Sequence, residues 1–158
     1  MIKGKQSIAF KTSPYIEESA SVVGKKEGEG PLGSRFDMVE LDDMFGEDTW
    51  EKAESSMQKE ACQLALGKAH LTAGAIRYLF GGDLLRQGVA TSLGVEQLQI
   101  PMFGLYGACS TSGEALALAS MCVAAGYGER MLVVTSSHFG MQKRNSVFRS
   151  VMRIRDRC

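Results

Sequence analysis

At 158 residues, with 44% apolar and 23% charged side chains, the chain has the composition of one ordinary globular domain with a real core. Eighteen basic residues are balanced by eighteen acidic ones, so no bulk field draws it onto an anionic membrane, and nucleic acid is not an expected partner. Four cysteines without a CxxC pair and only two histidines, His70 and His138, argue against a disulfide scaffold and a structural metal centre, so no metal ligand is assigned. No apolar run approaches the ~18 residues of a membrane span, and Met1 to Gln6 lacks the apolar core of a signal peptide; the chain reads as cytoplasmic.

In chain order, Gln6 to Phe10 predicts a short strand, ended by Pro14, which cannot donate to a ladder. The run Gly24 to Gly33 is charged and glycine-rich and predicts a surface loop after a long connection. Asp48 or Thr49 can cap a helix, with Glu51 closing a capping box. Beyond it, Trp50, Ala53, Met57, Ala61, Leu64, Ala65 and Ala69 recur at steps of three and four, while Glu51, Lys52, Glu54, Lys59 and Glu60 form the wet face. Ile76 to Phe80 then predicts a strand, Gly81-Gly82 the turn out of it, and Asp83 the cap of a short helix through Gln87.

The second half carries the chemistry. Ile100 to Leu105 predicts a strand that leads through Tyr106-Gly107-Ala108-Cys109-Ser110-Thr111-Ser112-Gly113 into a helix. From Glu114 to Ala125 that helix is apolar on every side, which predicts burial all round, with protein on both faces as in two sheets around a central helical layer. Met131 to Thr135 is a continuous apolar strand of the kind found inside a parallel sheet, with Ser136, Ser137 and His138 at its carboxyl end. Strand and helix alternate, so the fold class is α/β with a mostly parallel sheet.

A cysteine on a sharp strand-to-helix turn points its sulfur out of the carboxyl end of the sheet, where helix amides favour a thiolate or a bound anion. Cys109 is therefore the candidate nucleophile or anion-site residue, with Ser110, Thr111 and Ser112 as helix caps and hydroxyl donors. Burial for packing alone is the competing reading of Cys109, and it is the expected state of Cys62 and Cys122. Ser136 and His138 end a neighbouring strand and can line the same pocket, since ligands collect outside the carboxyl ends of strands in open α/β sheets. Asp83 joins them as a candidate, with a helix cap as its plainer role.

The elbow around Cys109 and its apolar helix resemble the thiolase superfamily. More narrowly, the stretches Val22 to Gly33, Thr49 to Glu54, Gly82 to Leu85 and Val134 to Gly140 resemble the stage V sporulation protein AD family. The resemblance implies the N-terminal half of the thiolase-like α/β/α/β/α layered fold over residues 1–140. It implies a non-catalytic protein of the spore-loading machinery that binds dipicolinic acid, with or without calcium, and needs no other cofactor. Cys109, Ser110, Asp83, Ser136 and His138 would then be ligand-binding residues. It also implies other stage V sporulation membrane proteins as partners, a homodimer in the intact family member, and a cytoplasmic place peripheral to the membrane of the developing spore.

In thiolases the histidines that activate the cysteine come from the second half, so turnover is not expected of this stretch. The alternative is an acyl-transferring thiolase or ketoacyl synthase with Cys109 as nucleophile. A cysteine hydrolase elbow is disfavoured by Thr111, where that motif wants glycine. Residues 141–158 turn basic and show neither helix nor strand periodicity; they read as a poorly ordered tail outside the family, in a chain cut short. Codons compatible with that tail, read one base earlier, can spell a family-like continuation, which suggests a shifted frame.

Overall fold

The computed structural model describes residues 2–84, 87–137 and 150–155. It begins with a small antiparallel hairpin, β1 (Ile2–Lys3) and β2 (Ser7–Ile8), so the strand expected over Gln6 to Phe10 shrinks to two residues. Both strands are exposed, and a ladder that buries nothing has no reason to extend. The main sheet starts only after Pro14, with β3 (Tyr15–Ala20). A single residue later comes β4 (Val22–Gly24), which pairs in parallel with β5 (Met38–Glu40). Between them the predicted loop holds one helical turn, α1 (Lys25–Gly28), with no buried residue. Its glycines serve close packing, because a Cβ on Gly33 would lie 1.9 Å from the Gly28 carbonyl oxygen.

Helix α2 (Trp50–Lys68) matches its expected start, with the Thr49 hydroxyl accepting from Lys52 N at 3.3 Å. Ala53, Met57, Ala61 and Ala65 are buried as the periodicity requires, and so is Cys62. Glu54 departs from its expected place on the wet face and is fully buried, together with Gln58. The reason is a second neighbour: α2 lies against the sheet and also against α3 (Val89–Val95), which widens the buried arc.

Strand β6 (Tyr78–Asp83) starts later than expected and runs through Gly81 and Gly82 instead of turning there. A Cβ on Gly82 would lie 2.1 Å from the Leu105 carbonyl oxygen, so glycine at this position permits close approach. No helix begins at Asp83; the chain reaches Gly88, whose φ of 93° precedes α3. Then follow β7 (Met102–Gly104), α4 (Thr111–Ala124), β8 (Arg130–Ser136) and β9 (Ser150–Arg155).

The main sheet has the order β3-β9-β8-β6-β7. Strands β6, β7 and β8 are parallel, and β9 runs antiparallel to both β3 and β8. Strand β8 alternates between two cores: Leu132 and Val134 join Met57, Ala61 and Leu79 beneath α2, while Met131 and Val133 join Phe80, Ala115, Ala119 and Val123 beneath α4. The result is three layers of helix, sheet and helix.

Two expectations are corrected here. Helix α4 is buried on one stripe only, Thr111, Ala115, Ala119 and Val123, four residues apart; Gly113, Glu114, Ala117 and Ala124 are exposed and the rest half-buried. Residues 150–155, read as part of a tail without regular structure, form β9 in the interior of the sheet. Backbone pairing on both sides can recruit a short segment whose side-chain pattern announces nothing. The other tail residues, 141–149 and 156–158, and the shifted-frame expectation attached to them lie outside the described residues.

Candidate functional site

The bend between β7 and α4 is built by backbone. Leu105 N donates to Gly81 O at 2.8 Å, which holds the segment against β6. Ala108 adopts φ 51°, a left-handed conformation that costs a residue with a Cβ, directly before Cys109. A short 3-10 turn over Ala108 to Ser110 then leads into α4. Thr111 Oγ1 accepts from Gly107 N at 3.0 Å and clasps the bend. Ser110 stands at the helix cap position without making a side-chain cap; its hydroxyl bonds Gly107 O at 2.7 Å and the Glu114 carboxylate.

A cavity of about 180 Å³ opens above this bend, at the carboxyl ends of β6 and β8. Asp83, Cys109 and Ser136, three of the residues singled out in the sequence, line it with Thr111, Ser112 and Ser137. Ser110 does not, and His138 lies outside the described residues. Cys109 is exposed at this cavity, in contrast to Cys62, whose thiol burial pushes up to about 12. Cys122, expected in the core, is half-buried, and burial raises its pKa too.

The role expected for Asp83 changes. It ends β6 and accepts from Gly88 N at 3.2 Å, Thr91 N at 2.9 Å and Thr91 Oγ1 at 2.8 Å, so it caps α3 from outside that helix. Beneath the cavity lies a buried polar network that the sequence reading missed, formed by Glu54, Gln58 and Thr91 with Asp83 and Ser136. Gln58 Nε2 donates to Thr91 Oγ1 at 3.0 Å and to Ser136 Oγ, and Ser136 Oγ donates to Glu54 Oε1. Glu54 and Gln58 are one helical turn apart; their spacing was legible, but nothing local distinguishes a buried polar face from a wet one.

An anion in this cavity meets the amino end of α4, whose amides and dipole favour negative charge. The Thr111 hydroxyl uses a lone pair on Gly107 and keeps its proton for a ligand. No lysine or arginine stands among the described lining residues. Nor do the described residues contain a cluster of three or more metal-ligating side chains, or a helix long and apolar enough to cross a membrane.

The family model of stage V sporulation protein AD matches residues 4–152, past Gly140 and into β9. The chain belongs to this family. It is 39% identical over 137 residues to the stage V sporulation protein AD of Bacillus subtilis (strain 168), covering 87% of this chain and 40% of that relative. The chain thus spans less than half the length of the curated relative it matches. Among solved structures, the priming β-ketosynthase of the R1128 polyketide pathway matches 98% of this chain and 53% of its own, with TM-score 0.64 at 13% identity. The 3-oxoacyl-[acyl-carrier-protein] synthase III of Aquifex aeolicus VF5 matches 91% and 53%, with TM-score 0.63 at 16% identity. These likenesses show a thiolase-like α/β fold in a sporulation protein of the stage V AD family.

Proposed function

We propose that the cavity over α4 is part of a binding site for dipicolinic acid, free or as its calcium chelate, used without turnover in spore loading. The observation that carries this reading is the convergence of Asp83, Cys109, Ser136 and the amino end of α4 on one cavity in a chain of this family. At about 180 Å³ the cavity falls below the ~300 Å³ at which pockets for drug-sized ligands begin, so it suits a small ligand. Carboxylate groups would face the α4 amides and the Thr111 hydroxyl, which supply donors and a favourable field. The same reading places the protein in the cytoplasm at the membrane of the developing spore, working with other stage V sporulation membrane proteins and, in intact members, as a homodimer.

Titration calorimetry of the full chain with dipicolinate, with and without calcium, tests the proposal. Saturable binding that weakens in Ser136→Ala supports it; a wild-type chain that gives no heat with either form defeats it. A second reading, covalent acyl transfer, is favoured by one observation: Cys109 is exposed at the cavity beside a helix amino end. Acyl-CoA labelling separates the two, because a thioester on Cys109 supports transfer and saturable binding without labelling supports the ligand site.

A further inference from the structure

The network beneath the cavity has a single direction. Gln58 Nε2 carries two protons and both are used, one on Thr91 Oγ1 at 3.0 Å and one on Ser136 Oγ. Each hydroxyl owns one proton and passes it to a carboxylate, Thr91 to Asp83 Oδ2 at 2.8 Å and Ser136 to Glu54 Oε1. Turning the amide over would make both hydroxyls donate to its oxygen and take a donor from both carboxylates. All five side chains are at least nine-tenths buried, so water does not replace a lost donor easily. The result is a fork: one amide feeds two hydroxyls, and these feed two carboxylates.

We propose that Gln58 is the positioning residue of the cavity, fixing the proton direction of Ser136 and making the strand-end wall hydrogen-bond-accepting. Ser136 lines the cavity with its only proton committed to Glu54, so a ligand meets it through a lone pair. Asp83 on the same wall already accepts from Gly88 N, Thr91 N and Thr91 Oγ1. The opposite wall, at the amino end of α4, offers donors. A ligand matched to both walls turns its acceptors toward α4 and a donor toward β6 and β8. This choice of ligand rests on the cavity being a binding site, whereas the direction of the fork does not.

Carboxyl 13C NMR of the ligand-free full chain tests the fork. Gln58→Met should shift the Glu54 and Asp83 resonances together, although Gln58 bonds neither carboxylate, while Ser136→Ala should shift Glu54 and Thr91→Val should shift Asp83. Gln58→Met that leaves both resonances in place overturns the proposal. If that variant does not fold, the Glu54 carboxyl is compared in H2O and D2O, since Asp83 also accepts from exchangeable amides. An isotope shift on Glu54 that is lost in Ser136→Ala supports hydroxyl donation, and one that is absent or survives in Ser136→Ala overturns it. For the ligand, Gln58→Met frees Ser136 to turn its proton into the cavity and should tighten dipicolinate binding about tenfold, because dipicolinate presents only acceptors. A folded Gln58→Met chain with dipicolinate affinity unchanged overturns the positioning role. Paired carboxyl shifts in a chain that binds no dipicolinate uphold the fork and defeat the dipicolinate reading alone.

Discussion

Helices α2 and α4 pack on opposite faces of one sheet, yet they meet it in different ways. On α2 the buried arc is wide and partly polar, with Glu54, Ser55 and Gln58 enclosed beside Met57 and Ala61, because sheet and α3 both press on it. On α4 the sequence is far more apolar, yet only a stripe of small residues four apart is fully enclosed. An apolar sequence therefore does not measure burial, and a polar one does not measure exposure. What decides is how many neighbouring layers each helix has within the chain.

The sharpest way to break this contrast is to place one charge on each side of α4. Ala119→Lys, at a position with 0% exposure, should cost more than about 4 kcal/mol and abolish folding. Ala117→Lys, on the exposed side, should stay within about 0.5 kcal/mol, as read by urea unfolding. Equal damage at the two positions would show that the outer face of α4 is also covered. On α2, Met57→Ala should cost about 2–5 kcal/mol through the cavity it leaves, and Leu116→Ala on half-buried α4 should cost clearly less in the same assay.

Gly82→Ala should cost about 1–3 kcal/mol, since its Cβ meets the Leu105 carbonyl and the bend into α4 must move. Faster or slower alkylation of Cys109 in that variant, followed by peptide mass spectrometry, would report the displacement, with buried Cys62 unlabelled until the chain unfolds.

A small, pH-dependent effect is expected at the end of α2. Burial pushes the Asp37 carboxyl up, but donors from Lys68 and Ser21 outweigh it and leave the pKa below its ordinary value. A depressed carboxylate contributes stability above its unfolded pKa and loses it as pH falls through the folded one. Asp37→Asn should therefore cost less than about 1 kcal/mol near neutral pH, given the exposure of the pair, and the difference should vanish in acid well below about pH 4. Urea midpoints at both ends of that range measure it.

Much of the fold was legible because its signals are local. Thr49 caps α2, the step of three and four buries Ala53 to Ala65, and Met131 to Thr135 reads directly as an interior strand. The bend at Cys109 was legible from residue type alone, and the cavity brings it together with Asp83 and Ser136. The rest needed partners distant in sequence. Gly81 and Gly82 look like a turn until the Leu105 carbonyl is placed beside them, and Ser150 to Arg155 looks patternless until β3 and β8 flank it. By itself the sequence determined the start and buried stripe of α2, the core strand β8 and where the bend at Cys109 falls, since propensity and periodicity act over a few residues. Only the tertiary structure decided which faces are covered and that Gln58, Thr91 and Ser136 meet beneath the cavity, because those depend on groups brought together from across the chain.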